Sequence, residues 1–367
     1  MNVPKLRFKE FNDEWSFTEL AKISSDISYG MGLASKEYDG VNKYIRITDI
    51  DETTNKYSNK DIVSPDGVLE DKYLVNKNDI LFARTGASTG KTYLYDEKDG
   101  KLYFAGFLIR ANIVNHDANF IFQQTKTNKY NKWVKIMSMR SGQPGINSQE
   151  YGSYKFSITS PEEEEKISKT LNLLDKKIEL QTKKIEDLKL FKLCINNNLF
   201  NGNKTIKLKD ICECKSSTIS LSDIEYDNGI YPIYGANGEI KKINSYQHDK
   251  EYLAIIKDGA GVGKTIICNK KSSIIATLNA LIPNDIPVYY FNELINKIDF
   301  SKYIVGSGIP HIYFKDYSNE KLYLHDEKER LLINNLFKKI SIKIELEENK
   351  LHLLEALKKG LMQNMFV

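Results

Sequence analysis

A repeated helical stripe constrains this chain more than any other feature. Between residues 160 and 200, apolar residues recur on alternating steps of four and three, which aligns them along one narrow face of a helix. The same stripe returns 166 residues later, and ten of the 34 positions from 167 to 200 are identical to their counterparts. The interruptions recur too, since Gln181 matches Glu347 and Lys192 matches Lys358. Unrelated amphipathic helices would share the period but not the interruptions, so the pattern indicates an internal duplication.

We therefore expect two long helices that pack against each other as an antiparallel coiled coil and act as a spacer. The predicted seam of this pair consists of Ile167, Leu171, Leu174, Ile178, Ile185, Leu188, Ile333, Phe337, Ile340, Ile344, Leu351 and Leu354. A simpler alternative is that each helix packs only against its own globular core. The seam is long for that, because most globular helices have about 11 residues.

Helix boundary signals flank both stripes. Ser160 suits the N-cap, Pro161 the first helical position, and Glu163 three residues on predicts a capping box. Asp326 and Glu329 repeat this arrangement. The spacer helices are predicted at 160–202 and 325–367, each a rod of roughly 60 Å.

A domain precedes each helix, at residues 1–159 and 203–324, and the two domains have similar residue patterns. Both are rich in short apolar runs separated by Asp, Asn and Gly, which is typical of strands and turns. One helical stretch is predicted from Phe120 to Met139. The expected fold is α+β: two sheet-rich domains, two long antiparallel helices, and an internal pseudo-two-fold repeat.

Two short blocks of the first domain recur in the second. Residues 84–92, Arg-Thr-Gly-Ala-Ser-Thr-Gly-Lys-Thr, are echoed by residues 257–265, Lys-Asp-Gly-Ala-Gly-Val-Gly-Lys-Thr. Residues 141–146, Ser-Gly-Gln-Pro-Gly-Ile, are echoed by residues 307–312, Ser-Gly-Ile-Pro-His-Ile. The two domains therefore share a common structural plan, although the sequence between these blocks differs.

The Gly-Lys-Thr triplets raise the alternative of a nucleotide-binding P-loop. That loop requires Gly-x-x-x-x-Gly-Lys-Ser/Thr before a helix, whereas Thr85 and Asp258 stand where its first glycine belongs. The residues that follow read as strand in both copies. We predict tight strand-to-strand turns whose lysines and amides either face DNA phosphates or are simply solvated.

Composition and scattered residues argue against several classes. The formal net charge is only +4, and no stretch approaches the ~20 apolar residues of a membrane span, so we expect a cytoplasmic protein. The five histidines are isolated, and Cys212 and Cys214 have no second pair at zinc-ligand spacing. We expect reduced thiols, no metal site and no catalytic residues.

Polar and aromatic side chains able to contact base edges cluster near the predicted turns. Arginine suits guanine, and asparagine or glutamine suits adenine, in the major groove, although a solvated role is the alternative for each residue. The candidate DNA-binding residues are Arg46, Thr48, Arg84, Ser88, Lys91, Arg140, Gln143, Tyr234, Asn237, Lys257, Lys264, His311 and Tyr313.

Taken in order, these features resemble the specificity subunits of type I restriction–modification systems, over the whole length of the chain. The resemblance rests on the duplicated domain-plus-helix plan and on several short blocks. These are Trp15 with Leu20-Ala21-Lys22-Ile23, Asp79-Ile80-Leu81 with Arg84-x-Gly86-Ala87-x-x-Gly90-Lys91, the Ser-Gly-x-Pro block before each helix, and the endings Leu199-Phe200 and Met365-Phe366.

The resemblance implies that each domain reads one half of a split double-stranded DNA target. The helices would set the gap and dock two methylation subunits, which restriction/translocase subunits join. S-adenosylmethionine, ATP and Mg would belong to those partners, with no cofactor in this chain and no membrane contact. The second domain departs from the first, because Lys257-Asp258 replaces Arg84-Thr85, so its base contacts do not carry over.

Three alternatives remain open from the sequence. One is the recognition subunit of a related bifunctional restriction–methylation system without a separate translocating motor. A second is a nucleotide-binding enzyme that uses the Gly-Lys-Thr turns. The third is a purely structural coiled-coil scaffold without affinity for DNA.

Overall fold

The computed structural model describes residues 3–139, 142–224 and 229–367. The chain forms two compact units, which divide within both long helices. Unit 1 contains residues 1–180 and 351–367, and unit 2 contains residues 181–350. Each unit thus combines one sheet-rich domain with a segment of both helices.

Unit 1 is built on an antiparallel four-stranded sheet of order β2-β9-β6-β7. Its central strand β6 is buried along its whole length, because both faces of the sheet are covered. Small sheets pair β1 with β10, β3 with β5 and, in parallel, β4 with β8. The elements are β1 Ser16–Glu19, β2 Ser24–Tyr29, β3 Ala34–Glu37, β4 Lys43–Ile45, β5 Val63–Asp66, β6 Asp79–Ala83, β7 Thr92–Leu94, β8 Leu102–Phe104, β9 Leu108–Ile113, α1 Ala118–Gln124, α2 Asn128–Met137, α3 Ser148–Gly152, β10 Lys155–Ile158 and α4 Pro161–Leu199.

The single helix expected from Phe120 to Met139 is wrong. The structure has two helices there, α1 and α2, separated at residues 125–127. Thr125 is the C-cap of the first helix, and Thr127 is the N-cap of the second, since its side chain accepts a hydrogen bond from the backbone N–H of Tyr130. Continuous apolar content did not reveal this break.

Unit 2 repeats the main sheet with the order β12-β18-β15-β16. The parallel pair β13–β17 corresponds to β4–β8 of unit 1, which shows that the duplication extends to strand topology. The elements are β11 Ile206–Lys207, β12 Cys212–Ser216, β13 Tyr231–Gly235, β14 Gly238–Ile243, β15 Tyr252–Ile256, β16 Thr265–Cys268, β17 Ser273–Ile274, β18 Leu278–Pro283, α5 Val288–Ile295, α6 Phe314–Tyr317, β19 Lys321–Leu322 and α7 Glu327–Met365.

The long helices α4 and α7 each contain 39 residues and turn the predicted seam inward. Its residues are buried or half-buried, whereas most other positions of each helix are exposed, including several leucines such as Leu180 and Leu346. Buried members are Ile167, Leu171, Leu174, Ile185, Ile333, Phe337 and Ile340, and half-buried members are Ile178, Leu188, Ile344, Leu351 and Leu354.

Within each unit the two helix segments run antiparallel. In unit 2, Gln181 contacts Glu347, whereas Phe200, just beyond the end of α4, lies 6.4 Å from the Phe337 ring. Partner numbers on α7 therefore fall as those on α4 rise. In unit 1, Asp175 pairs with Lys358 near the C-terminal end of α7.

Two buried glutamates, Glu163 and Glu164, anchor the first turn of α4 to the first domain. Glu164 contacts His116 and the backbone N–H of Asp117. Glu163 is fully buried and accepts two hydrogen bonds of 2.7 Å from Arg7 and one of 3.2 Å from Trp15. The predicted cap is half present: Ser160 Oγ accepts a hydrogen bond of 3.4 Å from the Glu163 backbone N–H, but the Glu163 carboxylate accepts its hydrogen bonds from Arg7, Trp15 and Thr159. Burial opposes ionisation, but the hydrogen bonds from Arg7 and Thr159 outweigh it and lower the pKa of Glu163.

Candidate nucleic-acid interface

In the first domain, the structure brings the two duplicated blocks together. We call residues 84–92 and 257–265 the glycine turns, and residues 142–146 and 308–312 the proline loops. Gly86 N–H donates to Pro144 O at 3.0 Å, and Ile146 N–H donates to Arg84 O at 2.9 Å. A β-bridge between Thr85 and Gly145 completes this pairing.

The second domain builds the same pairing with the same bonds. Gly259 N–H donates to Pro310 O at 2.9 Å, and Ile312 N–H donates to Lys257 O at 3.0 Å. The bridge here joins Asp258 to His311. Residues more than 50 positions apart in sequence thus pair to form the same local structure in both domains.

Glycine is required in these turns by their backbone conformation. Gly86 and Gly90 have φ values of +73° and +90°, and the equivalent Gly259 and Gly263 have +100° and +85°. L-residues with a Cβ rarely adopt this left-handed region. Each turn connects two antiparallel strands, β6 to β7 and β15 to β16, and not a strand to a helix as a P-loop would.

The first scaffold carries the half-buried cation Arg84 beside uncharged polar side chains. The Arg84 guanidinium lies 4.8 Å from the Tyr29 ring centroid, and among the described residues no carboxylate pairs with it. Gln143 is exposed on the adjoining proline loop and Ser88 is half-buried in the turn. This arrangement leaves the guanidinium donors of Arg84 available to a ligand.

The second scaffold carries a different chemical set. Asp258 Oδ2 lies 2.5 Å from Lys257 Nζ, and its Oδ1 lies 2.8 Å from His311 Nδ1. Partial burial opposes ionisation of Asp258, but hydrogen bonds from Lys257 and His311 lower its pKa. Lys264 and Tyr313 are exposed nearby in sequence. The domains thus display a cation on one scaffold and an internally balanced Lys–Asp–His cluster on the other.

Several candidates from the sequence have other partners. Arg46 forms two hydrogen bonds with the nearly buried Asp49 carboxylate, at 2.7 and 2.8 Å. Lys91 bonds Ile50 O at 3.1 Å and lies 3.3 Å from Glu52.

Three further candidates differ in accessibility. Tyr234 is buried in the core of the second domain, whereas Thr48 and Asn237 are exposed away from the paired blocks in sequence. Arg140 lies outside the described residues.

Within the part of the chain that the structure describes, no group of three or more His, Cys, Asp or Glu side chains could hold a metal ion. Burial raises the pKa of Cys212 to about 12 and that of Cys214 to about 11, so both are protonated thiols. Among the same residues, no helix is both long and apolar enough to span a bilayer.

Comparison with known proteins decides the family. The family model described as the type I restriction modification DNA specificity domain matches twice, over residues 14–190 and 201–356. The chain belongs to this family. As a specificity subunit it recognises DNA and is not itself catalytic.

Solved structures agree with this fold. The S subunit of a type I restriction-modification system from M. genitalium has a TM-score of 0.73 at 18% identity, covering 100% of this chain and 99% of that one. A chain from a structural study of complex assembly and conformational transition in the type I R-M system has a TM-score of 0.51 at 16% identity, covering 96% and 97%. The tandem match confirms the internal repeat of the specificity chain.

Sequence reasoning missed two residues of this interface. Tyr29 lies 55 positions before Arg84 and carries no local signal of the ring–guanidinium contact. Asp258 is not among the candidates from the sequence, although it stands beside Lys257 and the proline loop of its domain contains His311. Aligning the proline loops with the glycine turns would have suggested the cluster.

Proposed function

We propose that each domain of this specificity subunit reads one half of a bipartite double-stranded DNA target through its paired glycine turn and proline loop. A single observation supports this proposal: the same backbone scaffold occurs twice and carries different side chains. A common scaffold gives both domains the same way of presenting residues to a groove. Different side chains give them different half-sites.

The chemistry of each scaffold indicates how it would contact DNA. Arg84 offers the planar pair of donors that matches the O6 and N7 acceptors of guanine, and Gln143 can pair with adenine. In the second domain, Lys257 and His311 supply donors while Asp258 supplies an acceptor that suits the amino group of cytosine. Backbone amides and lysines of the turns would bind phosphates, which positions the protein without specifying sequence.

We further propose that α4 and α7 set the gap between the half-sites. Each helix of 39 residues is ~58 Å long at 1.5 Å per residue. Half-sites one duplex turn apart are separated by ~34–36 Å, which is within the reach of such a pair.

The outer faces of the helices favour docking of two methylation subunits. Leu180 and Leu346 occupy equivalent positions and are each 59% exposed, and Phe191 and Leu357 repeat this at 54% and 53%. A duplicated face presents two equivalent sites to two copies of one partner. Restriction/translocase subunits would join this complex, and S-adenosylmethionine, ATP and Mg would bind to the partners in the cytoplasm.

The experiment that tests the half-site proposal is a map of methylated adenines in host DNA with and without the gene for this chain. The expected result is loss of one bipartite motif with a fixed gap. Unchanged methylation, or loss of a continuous motif, would contradict the proposal.

Docking can be tested separately with Leu180→Asp and Leu346→Asp. Each substitution should leave thermal stability unchanged, since the side chain is exposed, and should reduce the number of bound methylation subunits from two to one. The matched control is Lys183→Asp, which is also exposed on α4. Retention of both subunits by the leucine variants would place the docking face elsewhere.

A further inference from the structure

Two buried polar side chains interrupt the helix seam. Gln181 is 6% exposed and Glu347 is 4% exposed. They occupy the same position in the two copies of the duplicated helix, 166 residues apart, and their seam neighbours Ile185 and Ile344 are apolar. At this central seam position, the first copy of the helix has an amide and the second copy has a carboxylate, and the two side chains face each other.

The contacts at this position satisfy both side chains. Nε2 of Gln181 donates to Glu347 Oε2 at 2.7 Å and to Glu347 O at 2.9 Å. Lys184 Nζ lies 2.7 Å and Lys343 Nζ 2.8 Å from Glu347 Oε1. Hydrogen bonds from Gln181, Lys184 and Lys343 lower the pKa of Glu347, so the carboxylate is ionised near neutral pH.

We infer that a polar cluster, which we call the polar key, determines how the two helices pair. The polar key consists of Gln181, Lys184, Lys343 and Glu347. It favours pairing of α4 with α7 over pairing of identical helices, and it allows only one register. Pairing α7 with α7 of a second copy would bring two Glu347 carboxylates together. A shift of seven residues in one direction would place Glu347 against Leu188, and in the other direction Gln181 against Ile340. Each alternative removes the bonds of Glu347 to Gln181 and Lys184, keeps only the Lys343 pair within α7, and buries a polar side chain against an apolar or like-charged one, which is costly. Apolar seam contacts alone discriminate weakly between registers and partners.

The duplication of the lysines sharpens this inference. Lys343 precedes Glu347 by four residues, and Lys177 precedes Gln181 by four. Lys184 follows Gln181 by three residues, and Lys350 follows Glu347 by three. A carboxylate at position 181 would therefore meet the same lysine positions as the carboxylate at 347.

The first experiment compares the full-length chain with Gln181→Glu, Glu347→Gln and the exchange of both residues, by thermal unfolding at neutral pH. Gln181→Glu should lower the melting temperature by several degrees, because two carboxylates then face each other. Glu347→Gln should cause a smaller decrease. The exchange should recover most of both losses. Losses that simply add in the exchange variant would overturn the inference.

The second experiment replaces the pair with Gln181→Leu and Glu347→Leu together. Because an apolar pair of similar size is often neutral or stabilising, the variant should melt no lower than wild type. It should nevertheless self-associate more than wild type in sedimentation after unfolding and refolding, or accept DNA targets of more than one gap length. The matched control is Lys189→Gln, which removes an exposed ion pair with Glu348 across the same helices and should change neither property.

A doubly substituted chain that stays monomeric and accepts a single gap length would show that the pair only satisfies its own hydrogen bonds. The gap measurement rests on the proposed function, whereas melting and sedimentation do not. Recovery in the exchange variant without any bipartite DNA binding would therefore leave the polar key intact and refute the proposed function instead.

Discussion

Two arginines chosen from the sequence as DNA contacts are expected to behave in opposite ways. Arg84 packs on Tyr29 without a carboxylate partner among the described residues, so its donors are available to DNA. Arg46 holds the Asp49 carboxylate, whose side chain is 8% exposed, while its own is 32% exposed. Substituting either residue by alanine should therefore separate a loss of recognition from a loss of stability.

For Arg84→Ala, the lost ring contact should cost only about 0.5–1 kcal/mol of unfolding free energy. If Arg84 reads a guanine, binding to the target should weaken by about 1–3 kcal/mol, or roughly 5- to 150-fold, with relaxed preference at one base position. For Arg46→Ala, loss of the charged hydrogen bonds, reduced by partial exposure, should cost about 1–3 kcal/mol of stability. DNA specificity should be unchanged at temperatures where that variant is folded.

The assay is fluorescence anisotropy of the assembled complex on a duplex that carries the mapped target, over a range of salt concentrations, with thermal unfolding in parallel. Arg84→Lys distinguishes the two kinds of contact, because lysine preserves a phosphate contact but not a paired contact with guanine. If Arg84 binds only phosphate, Arg84→Ala should weaken all sequences equally and reduce the salt slope by about one. Wild-type affinity of Arg84→Ala on the target would refute the assignment of this scaffold to DNA.

Three further expectations concern stability. Leu171→Ala should cost about 2–5 kcal/mol of unfolding free energy, because the side chain is fully buried. Leu180→Ala should cost under about 0.5 kcal/mol, because Leu180 is exposed. Equal effects of the two variants in chemical denaturation would contradict the assignment of Leu171 to the buried seam. Gly90→Ala should cost about 1–3 kcal/mol, because φ is +90° and an added Cβ would lie 2.4 Å from a Val134 methyl, whereas Gly142→Ala meets open space and should melt as wild type. The Glu164 hydrogen bond raises the pKa of His116 above 6.5 in the folded protein. The charged pair therefore stabilises the folded state fully below pH 6.5, and this stabilisation is lost as pH rises through the folded pKa. The melting-temperature advantage of wild type over His116→Gln should shrink as pH rises.

The duplication and the long helices were predictable because their signals are local and periodic. The seam depends on a spacing of four and three residues, and the turns depend on Gly86 and Gly90 at positions where a Cβ is strained. Both signals are present in the sequence without knowledge of tertiary contacts. The Gly-Lys-Thr resemblance to a P-loop could be rejected for the same reason, since the residues after it read as strand.

Partners distant in sequence could not be predicted. Glu163 has the spacing of a capping box, but Arg7, 156 residues away, takes its carboxylate. Arg46 is a DNA-contact candidate in the sequence, but in the structure its guanidinium pairs with the carboxylate of Asp49. Tyr234 lies at the end of a strand that could have faced either solvent or core, and tertiary packing buries it.

Exchange of one domain tests the central claim, that the two domains read separate half-sites, most directly. Residues 1–159 are replaced by the matching domain of a relative with a different target, and methylated adenines are mapped in cells that carry the partner subunits. The account predicts that one half of the methylated motif changes while the other half and the gap stay the same. A change in both halves, or in the gap, would contradict it.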